Sequence, residues 1–206
     1  MNQLNKFWPL LAIILVVVAS VALHTPPTMM ALTFVGLLYV LAANYHTIYT
    51  NYFGALFTLG LGMVSFSEGV YGNAAVNVLV LLPMCIYGIY GWNKKKIKLE
   101  LTPRQNTYIL GITLALSTVV YYALGYAGGT FQLMDALTTV LPIVATFLLV
   151  IQSPACWPYW IVYNTLQAIL WFDVAGVSSS VASLAVLKLV FLANSIIAYF
   201  NWKYKA

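Results

Sequence analysis

From residue 7 to residue 202 the sequence is a succession of apolar runs long enough to cross a bilayer, and only one of the breaks between them is densely charged. That break is NKKKIKLELTPR, residues 93–104. A hydrocarbon core of about 30 Å takes roughly 20 residues of helix per crossing. Helices are favoured there because they satisfy their own backbone hydrogen bonds. The chain therefore reads as an all-α polytopic membrane protein. Its 206 residues hold about eight transmembrane helices and no separate soluble domain. Composition agrees, since 6% of residues are charged where a soluble domain has about a quarter. The net charge of +5 then belongs to loops and termini, which set orientation, and implies no nucleic acid partner.

Punctuation along the chain places the spans. Lys6 precedes the first apolar run, which reads as an uncleaved helix, the alternative being a cleaved signal peptide. The prolines of HTPPT, residues 24–28, end it. A second span covers residues 29–43. The aromatic stretch NYHTIYTNY, residues 44–52, suits headgroup depth, with His46 an interface residue. A third span at residues 53–65 is short and is expected to begin inside that stretch. After the turn at residues 67–69 a fourth runs over 70–92. A fifth covers 108–124, a sixth 131–151, a seventh 156–173 and an eighth 180–202. With eight spans, Lys6, the 94–104 cluster and the terminal Lys203 and Lys205 fall on one side. Five of the nine basic residues lie in that cluster, so this side, with both termini, is read as cytoplasmic.

The chain also repeats. IYGIYGW at residues 86–92 and IIAYFNW at 196–202 align at an offset of 110, and each closes a span. The pattern is an extra N-terminal helix (1–26), a three-helix unit (27–93), a basic loop with a linker helix (94–128) and a second three-helix unit (129–206). One connecting helix between odd-numbered units restores their orientation. Two parallel repeats of this kind form a transporter plan with the site between them near the midplane.

Polar side chains within the spans are few. On the seventh, Trp160, Asn164, Gln167 and Trp171 are spaced by four, three and four residues, which brings them onto one helical face. An amide in hydrocarbon needs a partner, so the stripe faces protein or a wet cavity. One reading is a polar clamp between helices. The other is a substrate site in which indoles stack on a flat ring and amides read its polar edge. Asn73 and Asn77 lie on the fourth span, and Lys188 and Asn194 on the eighth. Lys188 is roughly 13 Å deep at 1.5 Å per residue. An intramembrane cation calls for a functional role or a partner, here an ion pair or gate with Asp135 or Asp173. No phosphate loop, metal-ligand cluster or catalytic triad is present in the sequence, so no enzyme activity or cofactor is expected. Cys85 and Cys156 read as isolated buried thiols.

GALFTLGLG after NYF, then YGNAAVNVLVLLPMCIYGIYGW, WPYWIVYNTLQAILWF and FLANSIIAYFNW, resemble the bacterial Pnu vitamin transporter family over residues 51–202. The resemblance implies a fold similar to SWEET sugar transporters and location in the bacterial inner membrane. It implies facilitated diffusion of nicotinamide riboside, retained by a cytoplasmic kinase, and a homotrimer among membrane lipids. By match to the family's patterns, Asn77, Trp157, Trp160, Asn164, Gln167 and Asn194 are the binding candidates. The chain departs from the pattern at Cys85, where relatives often carry glutamine, and at Ala198, where glycine is expected. Other vitamins or nucleosides (thiamine, riboflavin, a deoxynucleoside) and a non-transporting membrane subunit stay open as alternatives.

Overall fold

The computed structural model describes residues 3–91, 101–128 and 132–204. The basic run at 94–98 and Lys205 lie outside the described residues. Those described form eight long helices. We number them α1 (Gln3–Ala22), α2 (Pro27–Asn44), α3 (Tyr49–Ser67), α4 (Tyr71–Gly91), α5 (Pro103–Ala127), α6 (Gln132–Val150), α7 (Cys156–Val177) and α8 (Ala182–Tyr204). α2, α4, α6 and the bulk of α5 and α8 are long and apolar enough to cross a membrane. α3 and α7 match them in length, at 19 and 22 residues, but carry more polar side chains.

The breaks follow local chemistry. Pro27 opens α2, where its missing N–H costs nothing. Thr102 caps α5: Gln105 N donates to its hydroxyl, and Thr102 N donates to Gln105 Oε1, with Pro103 in the first turn. Gly128, at φ 74°, ends it. α3 begins at Tyr49, inside the aromatic stretch. Within α4, residues Asn77–Leu81 widen to a π-turn, and Leu82 N donates to Asn77 O five residues back. Pro83 follows at once, and the wider turn accommodates a ring that would clash in a regular helix.

Six helices close a ring. α2 packs on α3, α3 on α4, α4 on α6, α6 on α7, α7 on α8, and α8 back on α2. α1 lies outside against α8 and α2, and α5 lies outside against α6. The groups α2–α4 and α6–α8 therefore meet along two edges, α2/α8 and α4/α6. Each edge is fastened by buried polar groups. At α4/α6, the Asp135 carboxylate accepts from Gly72 N at 2.9 Å and Asn73 N at 2.7 Å, capping the start of α4 from across the interface. Gly72 permits this approach, since a Cβ there would stand 2.6 Å from Thr139 Oγ1 and 3.0 Å from both carboxylate oxygens. At α2/α8, Asn194 accepts from Asn44 Nδ2 at 3.2 Å and from Trp8 Nε1 at 2.8 Å, and donates to Val40 O at 3.0 Å.

Candidate functional site

Inside the ring, α2, α6, α7 and α8 enclose a cavity of about 10 Å³ lined by Tyr39, Val40, Ala43, Leu149, Trp157, Trp160, Asn164, Phe191 and Ser195. That is room for about one water. The α7 stripe is wholly buried, and the cavity divides it. Trp160 and Asn164, with Trp157 a turn earlier, line the cavity. Gln167 and Trp171 lie beyond it, where Trp171 Nε1 donates to Gln167 Oε1 at 3.0 Å on the same helix. The helical spacing brings the four to one face, and the neighbouring helices decide which of them meet the cavity.

Hydrogen bonding separates the amides further. Asn164 Nδ2 donates to Ser195 Oγ at 2.9 Å, whereas Asn164 Oδ1 has no hydrogen-bond partner. Trp157 Nε1 and Trp160 Nε1 are likewise buried and unpartnered, as is Gln167 Nε2 behind them. Each such atom costs about 1–3 kcal/mol in desolvation, and native interiors rarely leave several together. Two indole donors and one amide acceptor on a cavity beside the Tyr39 and Phe191 rings suit a flat ring with polar edges. Asn194 has a different role: both its Oδ1 and its Nδ2 are engaged in the α1–α2–α8 clamp. Asn77 also looks inward to its own helix, since its Nδ2 donates to Asn73 O at 2.7 Å and Asn73 Oδ1 at 2.8 Å, and Ser65 Oγ donates to the same Oδ1.

Lys188 corrects the sequence expectation. It is 1% exposed, and its Nζ stands 5.4 Å from the Phe57 ring, 5.6 Å from Tyr163 and 5.3 Å from Phe191. It is held in an aromatic cage rather than by an ion pair with Asp135 or Asp173. Asp135 is occupied by the α4 cap, and Asp173 is exposed on α7.

At each end of the helix ring, turns of the two groups are tied together. At one end His46 Nε2 donates to Gln152 Oε1 at 3.0 Å. The His46 ring stacks on Trp202 at 4.3 Å, and Trp202 meets Trp157 edge-on at 5.3 Å. His46 and Gln152 have φ of 57° and 58°, a backbone region that is strained for such residues and often found at functional sites. At the other end Ser178 Oγ donates to Glu68 Oε1 at 3.2 Å. Glu68 and Ser178 are 110 residues apart, the offset at which the sequence aligns with itself. The sequence reading passed over Tyr39, Phe57, Tyr163, Phe191 and Ser195. One signal was available for two of them, because Lys188, Phe191 and Ser195 follow a three-and-four spacing that places them on one face of α8.

The family described as nicotinamide mononucleotide transporter matches residues 27–204. A Neisseria mucosa protein named nicotinamide riboside transporter PnuC is 29% identical over 167 residues, covering 74% of this chain and 63% of that protein. The Haemophilus influenzae protein of the same name is 24% identical over 176 residues, covering 81% of this chain and 75% of its own length. The chain thus spans just under two thirds of the Neisseria protein. The fold is similar to that of a crystal structure titled vitamin B3 transporter PnuC, with a TM-score of 0.85 at 24% identity over 99% of this chain and 92% of that one. The chain belongs to the nicotinamide mononucleotide transporter family and is a multi-pass membrane protein.

Proposed function

From that membership we propose that the chain carries nicotinamide riboside across the bacterial inner membrane by facilitated diffusion, with a cytoplasmic kinase retaining the product. The observation that carries the proposal is the set of unpartnered polar atoms, Trp157 Nε1, Trp160 Nε1 and Asn164 Oδ1, on a cavity at the meeting of the α2–α4 and α6–α8 groups. Once the cavity widens from its present one-water volume, a nicotinamide ring can lie between indole and phenyl faces, and its carboxamide or ribose hydroxyls complete these hydrogen bonds. The names of the two relatives support the same substrate. The two groups act as parallel repeats that rock about the cavity, opening one end at a time. Both termini and the basic 94–104 loop face the cytoplasm, and the chain assembles as a homotrimer.

The test is uptake of labelled nicotinamide riboside into proteoliposomes holding the purified chain, with counterflow to establish carrier behaviour. Saturable flux that is accelerated by substrate on the far side, without an imposed ion gradient, is expected. Dependence on such a gradient would exclude facilitated diffusion. Flux of thiamine or a deoxynucleoside alone would reassign the substrate, and absence of flux for all of them would leave a non-transporting membrane protein.

A further inference from the structure

α5 is the least covered of the five long apolar helices: 17% of its apolar stretch is buried, against a third or more in α2, α4, α6 and α8. Both α5 and α7 pack on α6. Between them, apart from the central cavity, lies a groove of about 390 Å³. The half-exposed Leu110 and Val162 form its sides and the buried Leu141 its floor. Its polar residues, Asn106, Thr107 and Tyr159, gather at one end, in the opening turns of α5 and α7. There Tyr159 Oη donates to Asn106 O at 3.5 Å. The same end adjoins the run at 93–104, which holds five basic residues and one acid. Its last member, Arg104, is exposed in the first turn of α5 and leans along the helix, with Nε donating to Tyr108 Oη at 3.1 Å and the guanidinium 5.6 Å from that ring. One guanidinium N–H is thereby used, and among the described residues no acid pairs with the others. Neither α5 nor α7 has an acid in its first turn, so no carboxylate offsets the positive ends of their dipoles.

We propose that the groove between α5 and α7 binds an anionic phospholipid, with an acyl chain along Leu110, Leu141 and Val162 and the phosphate at Arg104. The groove joins the two chemistries of such a molecule. Apolar walls take the chain, and a basic end flanked by the Tyr108 and Tyr159 rings suits headgroup depth. Arginine offers a phosphate two parallel donors, and basic residues at a membrane surface each add to the attraction for an anionic lipid. A zwitterionic lipid gains the same apolar contact, but its ammonium is repelled by the charges that hold the phosphate. The bound lipid covers a side of α5 that the protein leaves open, and so braces the helix that lies in sequence between the α2–α4 and α6–α8 groups.

The test offers the purified full chain equal amounts of phosphatidylglycerol and phosphatidylcholine with identical acyl chains, and measures retained lipid by native mass spectrometry. The wild type should retain phosphatidylglycerol in preference by at least about fivefold. Arg104→Gln, an exposed change that leaves the Thr102 cap intact, should lower that preference about fivefold while retention of phosphatidylcholine stays the same. Val162→Trp, which fills the groove from α7, should lower retention of both lipids. Should that variant fail to fold, Leu110→Trp fills the groove from α5 and is read the same way. Equal retention of the two lipids by the wild type, or an unchanged preference in Arg104→Gln, would overturn the proposal. So would a groove-filling variant that separates an oligomer into protomers while retaining lipid as the wild type does, since the groove would then be a contact between copies of the chain.

Discussion

Asn164 and Asn194 are both buried amides in the core of the ring, yet they should respond oppositely to replacement by leucine, which has the same branching and heavy-atom count but no polar atoms. Asn194 makes three hydrogen bonds, to Trp8 Nε1, Asn44 Nδ2 and Val40 O. Interhelical hydrogen bonds in membranes average about 0.6 kcal/mol, so Asn194→Leu removes ~2 kcal/mol. It also strands the Trp8 indole N–H, which pushes the loss upward. For a chain of this size that corresponds to a melting temperature lower by about 4–8 °C. Asn164 makes one bond, to Ser195 Oγ, and Ser195 keeps its own bond to Phe191 O at 2.8 Å. Its loss is therefore ~0.6 kcal/mol, or about 1–2 °C. What Asn164→Leu removes is the unpartnered Oδ1 on the cavity, costing about tenfold in affinity for a ligand that donates to it. An analogue without that donor should lose little. Thermal unfolding in detergent, with calorimetric binding of the ligand pair, measures both axes. The reasoning is refuted if Asn164→Leu destabilises as much as Asn194→Leu with an unchanged ligand ratio, or if Asn194→Leu melts like wild type.

Removing the tie at one end of the cavity should open that end. His46→Ala, which deletes the hydrogen bond to Gln152 and the stack on Trp202, should raise alkylation of an Ala43→Cys probe by at least about fivefold in a background lacking Cys85 and Cys156, while Ser178→Ala at the opposite end should not; equal probe reactivity in both would sink the assignment of the two ends. Single cysteines at Asn2, Lys96 and Lys205 should resist impermeant reagents applied outside intact cells, and outside labelling at any of them would overturn the proposed orientation.

The span pattern was legible in the sequence because prolines, glycine turns and apolar length act locally. The Pro26–Pro27 pair and Gly128 each end a run for reasons contained within a few residues. That Lys188 lies inside a membrane-length helix was equally legible, since the apolar run around it is unbroken. Its surroundings were not. Helical spacing assigns a side chain to a face but says nothing of which helix stands opposite, so three aromatics from α3, α7 and α8 could not be seen to converge on it. Asp135 shows the same limit in reverse. As an acid in a span it reads as a counter-ion, yet both its oxygens are committed to the N–H groups at the start of α4, an end that only the tertiary fold brings within reach. The stripe on α7 was foreseen as one surface and divides in two because the cavity stops one turn short of Gln167.

The distribution of polar ties bears on how such a compact interior could pass a substrate. Along the α2/α8 edge the two groups share the Asn194 clamp, and along α4/α6 they share the Asp135 cap. Each of these uses more than one buried hydrogen bond, and the cap is charge-assisted. Across the ends, among the described residues, Ser178 donates to Glu68 on one side, and on the other His46 bonds Gln152 and stacks on Trp202, joining two turns already held at positive φ. Breaking an edge would strand buried donors and acceptors away from water, whereas groups released at an end meet headgroups and solvent and are rehydrated. The less costly motion is therefore one in which the edges persist as hinges and the ends part in turn. The same motion must enlarge a cavity that now holds about one water. It would also bring the unpartnered indole and amide atoms within reach of an entering ligand, so that binding recovers part of the desolvation cost that the closed state carries.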